Sequence, residues 1–223
     1  MQLEINDIQL NCEKIGEGHP VILIHGSGED HHIFDKLTER LKNNFTVYAF
    51  DSRNHGLSTK TDDYTYESMA EDYSQAIKLL GLEKPYLVGF SDGAIIGVII
   101  ETLYPNTFGK MALLGINLQP SDFKDEILQY LEAEYAETKD PLLGMMLTQP
   151  SISLSQLEQI GTASLLVFAE DDLFKSEMID SILESMPDST SKIVEGHDHG
   201  SYIINEDILY PDLMQFFDDE NSL

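Results

Sequence analysis

Residues 86 to 97 read Tyr-Leu-Val-Gly-Phe-Ser-Asp-Gly-Ala-Ile-Ile-Gly. Tyr86-Leu87-Val88 is apolar at consecutive positions, as a strand buried on both faces must be. A second apolar run follows and ends before Pro105, a length that suits a helix over 92–103. Between the two stands Gly89-Phe90-Ser91-Asp92-Gly93. A serine between glycines at a strand-to-helix junction predicts a very tight turn. Side chains at 89 and 93 would strike the neighbouring strand and helix. Ser91 is then expected in a strained backbone conformation, with its hydroxyl lifted clear at the carboxyl edge of a sheet. A helix starting there aims free N–H groups and its positive end at any oxyanion that forms. The competing reading is an ordinary turn with Ser91 as a helix cap. The rest of the chain separates the two.

Outward from this stretch, short buried strands alternate with helical patterns. Strands are predicted at Pro20–His25, 46–50, 85–90 and 110–114. Helices are predicted at 31–42, carried by Ile33, Phe34, Leu37 and Leu41, and at 66–80, stopped by Gly81. Residues 2–15 alternate apolar and polar around Asn6-Asp7, which suggests an antiparallel pair. The rhythm breaks between about 117 and 155, a stretch bounded by Pro120 and Pro150 that holds the amphipathic segment Phe123–Tyr135 and the Met-rich segment Leu142–Leu147. It resumes with a strand at 164–168, a helix at 175–185, a strand at 191–194 and a helix at 201–217. This order predicts a parallel sheet covered by helices on both faces.

Three further motifs fall at strand ends. His25-Gly26-Ser27-Gly28 follows the third strand; it lacks both the Gly-Lys-Ser/Thr ending and the Gly-x-Gly-x-x-Gly spacing of phosphate loops. Phe168-Ala169-Glu170-Asp171-Asp172 ends a strand in a carboxylate cluster, one of whose acids can orient a histidine. Glu195-Gly196-His197-Asp198-His199 follows the last strand. The chain order is serine, acid, histidine. Metal-binding readings of His197-Asp198-His199 and of Asp30-His31-His32 supply too few well-spaced ligands. The latter pair of histidines is expected at a helix start on the solvent side, at the rim of a pocket.

On these motifs the chain resembles the α/β-hydrolase fold family over nearly its full length. Asp51-Ser52-Arg53-Asn54-His55-Gly56-Leu57-Ser58 is similar to the family's loop after the fourth strand, with Asn54 where Gly is common and no catalytic role for His55. The resemblance implies a mostly parallel eight-stranded sheet with helices on both faces. It also implies a core of 1–116 and 156–223 and a short helical cap at 117–155. The family register Gly-x-x-Asp points to Asp172 as the triad acid, with Ala169 in place of Gly. The register Gly-x-x-His points to His199, with His197 as runner-up. The implied oxyanion donors are the backbone N–H groups of Ser27 and Asp92. Met145 and Met146 are candidates to line an acyl pocket. Asp92 also matches the Gly-x-Ser-Asp-Gly subset, which includes hydrolases of amino-acid esters, and its carboxylate could face a substrate ammonium or cap the protein internally.

The implied activity is hydrolysis of small carboxylic esters through Ser91, His199 and Asp172 and an acyl-enzyme. Thioester cleavage, acyl transfer and carbon–carbon bond hydrolysis on the same triad are alternatives, as is a non-catalytic ligand sensor or scaffold. No cofactor and no metal is expected. Lys plus Arg is 13 against 40 Asp plus Glu, a formal net charge of −27, so nucleic acid and anionic membrane surfaces are unsuited partners. A preference for cationic substrates has no support from position at this level. Cys12 is the single cysteine and reads as a small strand residue, which excludes an intrachain disulfide. The N-terminal residues lack a basic region followed by an apolar stretch, and no apolar run would span a bilayer, so a cytoplasmic location is expected.

Overall fold

The structure, a computed structural model, describes residues 1–218. Eight strands form one sheet: β1 (Gln2–Ile5), β2 (Ile8–Ile15), β3 (His19–Ile24), β4 (Phe45–Phe50), β5 (Tyr86–Phe90), β6 (Met111–Leu114), β7 (Ser164–Asp171) and β8 (Ser189–Asp198). Their spatial order is β1-β2-β4-β3-β5-β6-β7-β8. β2 runs antiparallel to β1 and β4, and every later pairing is parallel.

The apolar runs are continuous because each strand faces two cores. Ile22, Ile24, Leu87, Met111, Leu113, Leu166 and Phe168 point to one face, where they meet α2 (Tyr66–Leu79) and α3 (Asp92–Leu103). Their sequence neighbours Val21, Leu23, Val88, Ala112, Leu114, Leu165 and Val167 point to the other, against α1 (Asp35–Leu41) and the last helix (Tyr210–Asp218). Each fully buried side chain of this kind stabilises the fold by about 1.5–3 kcal/mol. Cys12 is one of these buried strand residues, opposite Phe50, and burial pushes its thiol up to about 12.

Between β6 and β7 stand α4 (Asp125–Thr138), α5 (Pro141–Thr148) and α6 (Leu154–Leu157). Asp140 caps α5 by accepting from Leu142 N–H, and Pro141 opens it, where a missing N–H does no harm. α7 (Ser176–Ser185) follows β7 and buries Ile182. α8 is the last helix, Tyr210–Asp218.

Four elements depart from the sequence reading, the first being β7, which runs past 168 to Asp171. The 31–42 helix is divided into a 3-10 turn, His31–Phe34, and α1. The 201–217 helix begins only at Tyr210. Asn205 has a left-handed φ of 52° that no helix continues through, and Pro211 suits only a first turn. β8 extends well beyond 191–194, because pairing with β7 draws the polar residues Glu195–Asp198 into the sheet. Among the described residues no helix is long and apolar enough to cross a membrane.

Candidate active site

Ser91 sits between β5 and α3 with φ 51° and ψ −112°, a backbone conformation costly for any residue with a side chain. Its N–H donates to Leu114 O at 2.8 Å, and its carbonyl accepts from Ala94 N–H at 2.9 Å. The strand on one side and the first helical turn on the other hold the strain. A Cβ on Gly89 would lie 2.4 Å from Gly93 O, and one on Gly93 would lie 2.0 Å from Ile24 O. The two glycines are therefore the gaps through which helix and strand approach.

Sheet register brings acid and base together. Asp171 pairs with Asp198 across a bulge at the ends of β7 and β8, so the next residues, Asp172 and His199, leave the sheet side by side. His199 Nδ1–H donates to Asp172 Oδ1 at 2.7 Å. Asp172 is buried and also accepts from Leu173 N–H (2.8 Å) and, at Oδ2, from Ala169 N–H (2.9 Å). Its neighbours are engaged elsewhere. Asp171 is paired with Lys124 at the surface, and Glu170 accepts from Gly196 N–H. His197 is half-buried and meets Ser201 Oγ at 3.1 Å. The imidazole of His199 is packed by Phe90 and Phe174, with ring centroids 5.0 and 5.3 Å away. Gly115 leaves room for it, since a Cβ there would come within 2.6 Å of its Cε1.

Ser91 and His199 line one cavity of about 370 Å³, together with Ser27 and Glu29. Among the described residues no hydrogen bond joins Ser91 Oγ to the imidazole, the looser spacing such pairs commonly show before substrate binds. Leu142, Leu143 and Met146 of α5 close the apolar side. Met145 is turned away, 2% exposed in the core.

A profile of the alpha/beta hydrolase fold matches residues 19–143, more than half of the chain. The chain belongs to the α/β-hydrolase fold family. It is 35% identical over 129 residues to the serine hydrolase BPHL of Homo sapiens, covering 54% of this chain and 44% of that one. It is 32% identical over 133 residues to 2-(acetamidomethylene)succinate hydrolase of Mesorhizobium japonicum, covering 59% and 47%. The chain thus spans less than half the length of either curated relative. A solved structure of the meta-cleavage product hydrolase from Pseudomonas fluorescens IP01 superimposes with a TM-score of 0.83 over 98% of this chain and 97% of that one, at 16% identity, which is a likeness of fold.

In this α/β-hydrolase the loop after β3 is held by two neutral histidines. His25 Nε2 accepts from Ser52 N–H, and burial lowers its pKa to about 4. His55 Nε2 accepts from Gly28 N–H at 3.0 Å, and burial lowers it too. Both imidazoles therefore carry their proton on Nδ1, facing backbone carbonyls of Gly26 and Arg53. Contrary to the solvent-side expectation, His31 is buried. Its Nδ1–H donates to Asp51 Oδ1 at 2.6 Å, and Asp51 holds its pKa above the ordinary range. His32 is exposed. Asn54, in the place of a family glycine, takes a φ of 68°, which Asn tolerates better than most residues.

Asp92 is buried, and Oδ1 accepts from Tyr66 O–H at 2.7 Å. Oδ2 has no hydrogen bond among the described residues, although the Ser27 hydroxyl is close enough to favour the charged form. Burial raises the carboxyl to about 6 in spite of both hydroxyls. Replacing Tyr66 by Phe strips a bond from a buried acid, so a stability loss of about 1–3 kcal/mol is expected. The bond favours the ionised carboxylate, so the deficit should be larger above pH 6 than below it. Urea unfolding of both proteins on each side of that pH checks this; a deficit independent of pH would place the Tyr66 bond elsewhere. Glu29 was not singled out by the sequence. Its only signal there is a carboxylate placed three residues after Gly26 in the loop that flanks Ser91.

Proposed function

We propose that this protein is a serine hydrolase of small carboxylic esters. The observation that carries the reading is a strained serine and an Asp-held histidine lining the same cavity. A serine hydroxyl is a weak nucleophile at neutral pH and needs a base. Asp172 fixes the proton of His199 on Nδ1, which leaves Nε2 free to accept. Ser91 Oγ attacks the acyl carbon as His199 takes its proton. The alkoxy group leaves with that proton, and an acyl-serine remains. Water, deprotonated by His199, then attacks the acyl carbon, the carboxylic acid departs and Oγ recovers its proton. The backbone N–H groups of Ser27 and Asp92 are the proposed oxyanion donors, each worth about 3 kcal/mol in the transition state.

Residues 117–155 are the proposed cap on a core of 1–116 and 156–223. α5 supports this, because Leu142, Leu143 and Met146 lie over the cavity. Of the two methionines, Met146 is thus positioned for an acyl chain, and Met145 pins α5 to the core. The named activities of the curated relatives, a serine hydrolase and a succinate-derivative hydrolase, are consistent with hydrolysis. Thioester, acyl-transfer and carbon–carbon chemistry would use the same groups, and the bond cleaved depends on the pocket.

A fluorophosphonate probe tests the reading directly. Modification is expected at Ser91, mapped by mass spectrometry, and is expected to vanish in Ser91→Ala. A folded wild-type protein that takes no label has no activated serine, and the reading fails.

A further inference from the structure

The cavity around Ser91 holds a carboxylate that the triad does not use. Glu29 Oε2 accepts from Gly26 N–H at 2.9 Å. A Cβ on Gly26 would stand 2.9 Å from that same oxygen and 3.1 Å from Ser91 Cβ. Glu29 Oε2 therefore lies no further from Ser91 Cβ than those two distances together, within reach of the first few atoms of an acyl chain on Ser91. Among the described residues Glu29 has no ion-pair partner, and neither Lys nor Arg lines the cavity. Asp140 is the other carboxylate in its lining. The one lysine nearby is Lys60 in the adjoining hollow, and its ammonium is donated to Asn54 O at 2.6 Å. Burial raises the Glu29 carboxyl to about 7, although the imidazole of His199 in the same cavity pulls the other way.

We propose that Glu29 sets the charge specificity of this site, receiving a protonated amine on the acyl side of the substrate and turning carboxylates away. This rests on the hydrolase reading above and deepens it. Asp92 is a poorer candidate for the task, since Tyr66 covers one of its oxygens and it is not among the residues lining the cavity. Glu29 also has a structural duty, tethering Gly26. A glutamine can keep that tether through its amide oxygen while losing the charge, so the two roles separate.

The test uses three ethyl esters of equal chain length at about pH 8, above the titration of Glu29 and below that of an alkylammonium. β-Alanine ethyl ester ends in an ammonium, ethyl butyrate in a methyl and monoethyl succinate in a carboxylate. For the wild type, kcat/KM for the ammonium ester is expected to exceed that for the succinate ester by about tenfold or more, and Glu29→Gln is expected to erase most of this ratio. Glu29→Asp keeps the charge and should keep the preference. In parallel, n-butylammonium and butyrate are titrated onto each protein by saturation-transfer NMR. The ammonium should bind wild type and Glu29→Asp more tightly than Glu29→Gln. An unchanged ester ratio in Glu29→Gln overturns the proposal and leaves the hydrolase standing. If no ester is cleaved, butylammonium binding that depends on Glu29 sustains the cation site while the hydrolase reading falls. Equal binding in all three proteins overturns the cation site.

Discussion

Ser91→Ala is expected to lower ester turnover by about 10⁶-fold while leaving the fold intact, because triad members act as a unit and loss of the nucleophile removes the covalent route entirely. Asp172→Asn should cost about 10⁴-fold. The asparagine amide would present an N–H where His199 Nδ1–H now finds a carboxylate oxygen, and the imidazole would turn or change tautomer. The internal control is Asp171→Asn. Asp171 is exposed and its carboxylate is paired with Lys124 at the surface, so turnover should stay within about twofold of wild type. Steady-state kinetics on a chromogenic ester, with circular dichroism of each variant, reads all three. Should Asp171→Asn prove as damaging as Asp172→Asn, the acid is wrongly assigned. Should Ser91→Ala retain turnover, the chemistry does not pass through that hydroxyl.

How much of the candidate site is legible in the sequence follows from where its residues stand. Ser91 comes immediately after β5, whose apolar run marks itself, whereas Asp172 and His199 follow β7 and β8, whose polar last residues hide where the strands end. The buried strands are legible because both faces are covered, and no polar residue interrupts 21–24, 87–88 or 111–114. The choice of Asp172 over Asp171 is a different matter. A one-residue shift moves a side chain to the opposite side; the family register Gly-x-x-Asp points to 172, and the bulged β7–β8 register sets Asp172 beside His199. β8 was underestimated for the same reason: its last four residues are polar, and pairing rather than propensity makes them strand. The last helix was overestimated because apolar spacing continues through 202–209, yet Tyr202, Ile203 and Leu209 are buried from turns. Glu29 and His31 are not legible because their surroundings come from far along the chain, the cavity shared with Ser91 and His199 for one and the carboxylate of Asp51 for the other. Periodicity carries no information about such contacts.

The glycines beside Ser91 supply the second large expected effect. Gly93→Ala should remove about 4–5 kcal/mol or more, enough to leave little folded protein, since a domain of this kind has only about 5–15 kcal/mol in hand. The added Cβ would meet Ile24 O at 2.0 Å, Ile24 C at 2.7 Å and Ile24 Cβ at 3.0 Å. Two of these are backbone atoms in a strand hydrogen-bonded on both sides, to Phe50 of β4 and Gly89 of β5. A flexible side chain could swing away; β3 cannot move without breaking two ladders. Gly161→Ala is the matched control, because nothing lies within 4 Å of a Cβ there and its φ is ordinary, so any change should stay within about 1 kcal/mol. Urea midpoints of the three proteins decide it. A Gly93→Ala protein as stable as wild type would mean that α3 can lift off β3 freely, and then nothing would hold Ser91 in its strained conformation. A variant that folds but is weakened has a second consequence. Ile24 leads directly into His25-Gly26-Ser27, so pushing the end of β3 aside displaces the proposed oxyanion donor, and turnover should fall further than stability alone accounts for.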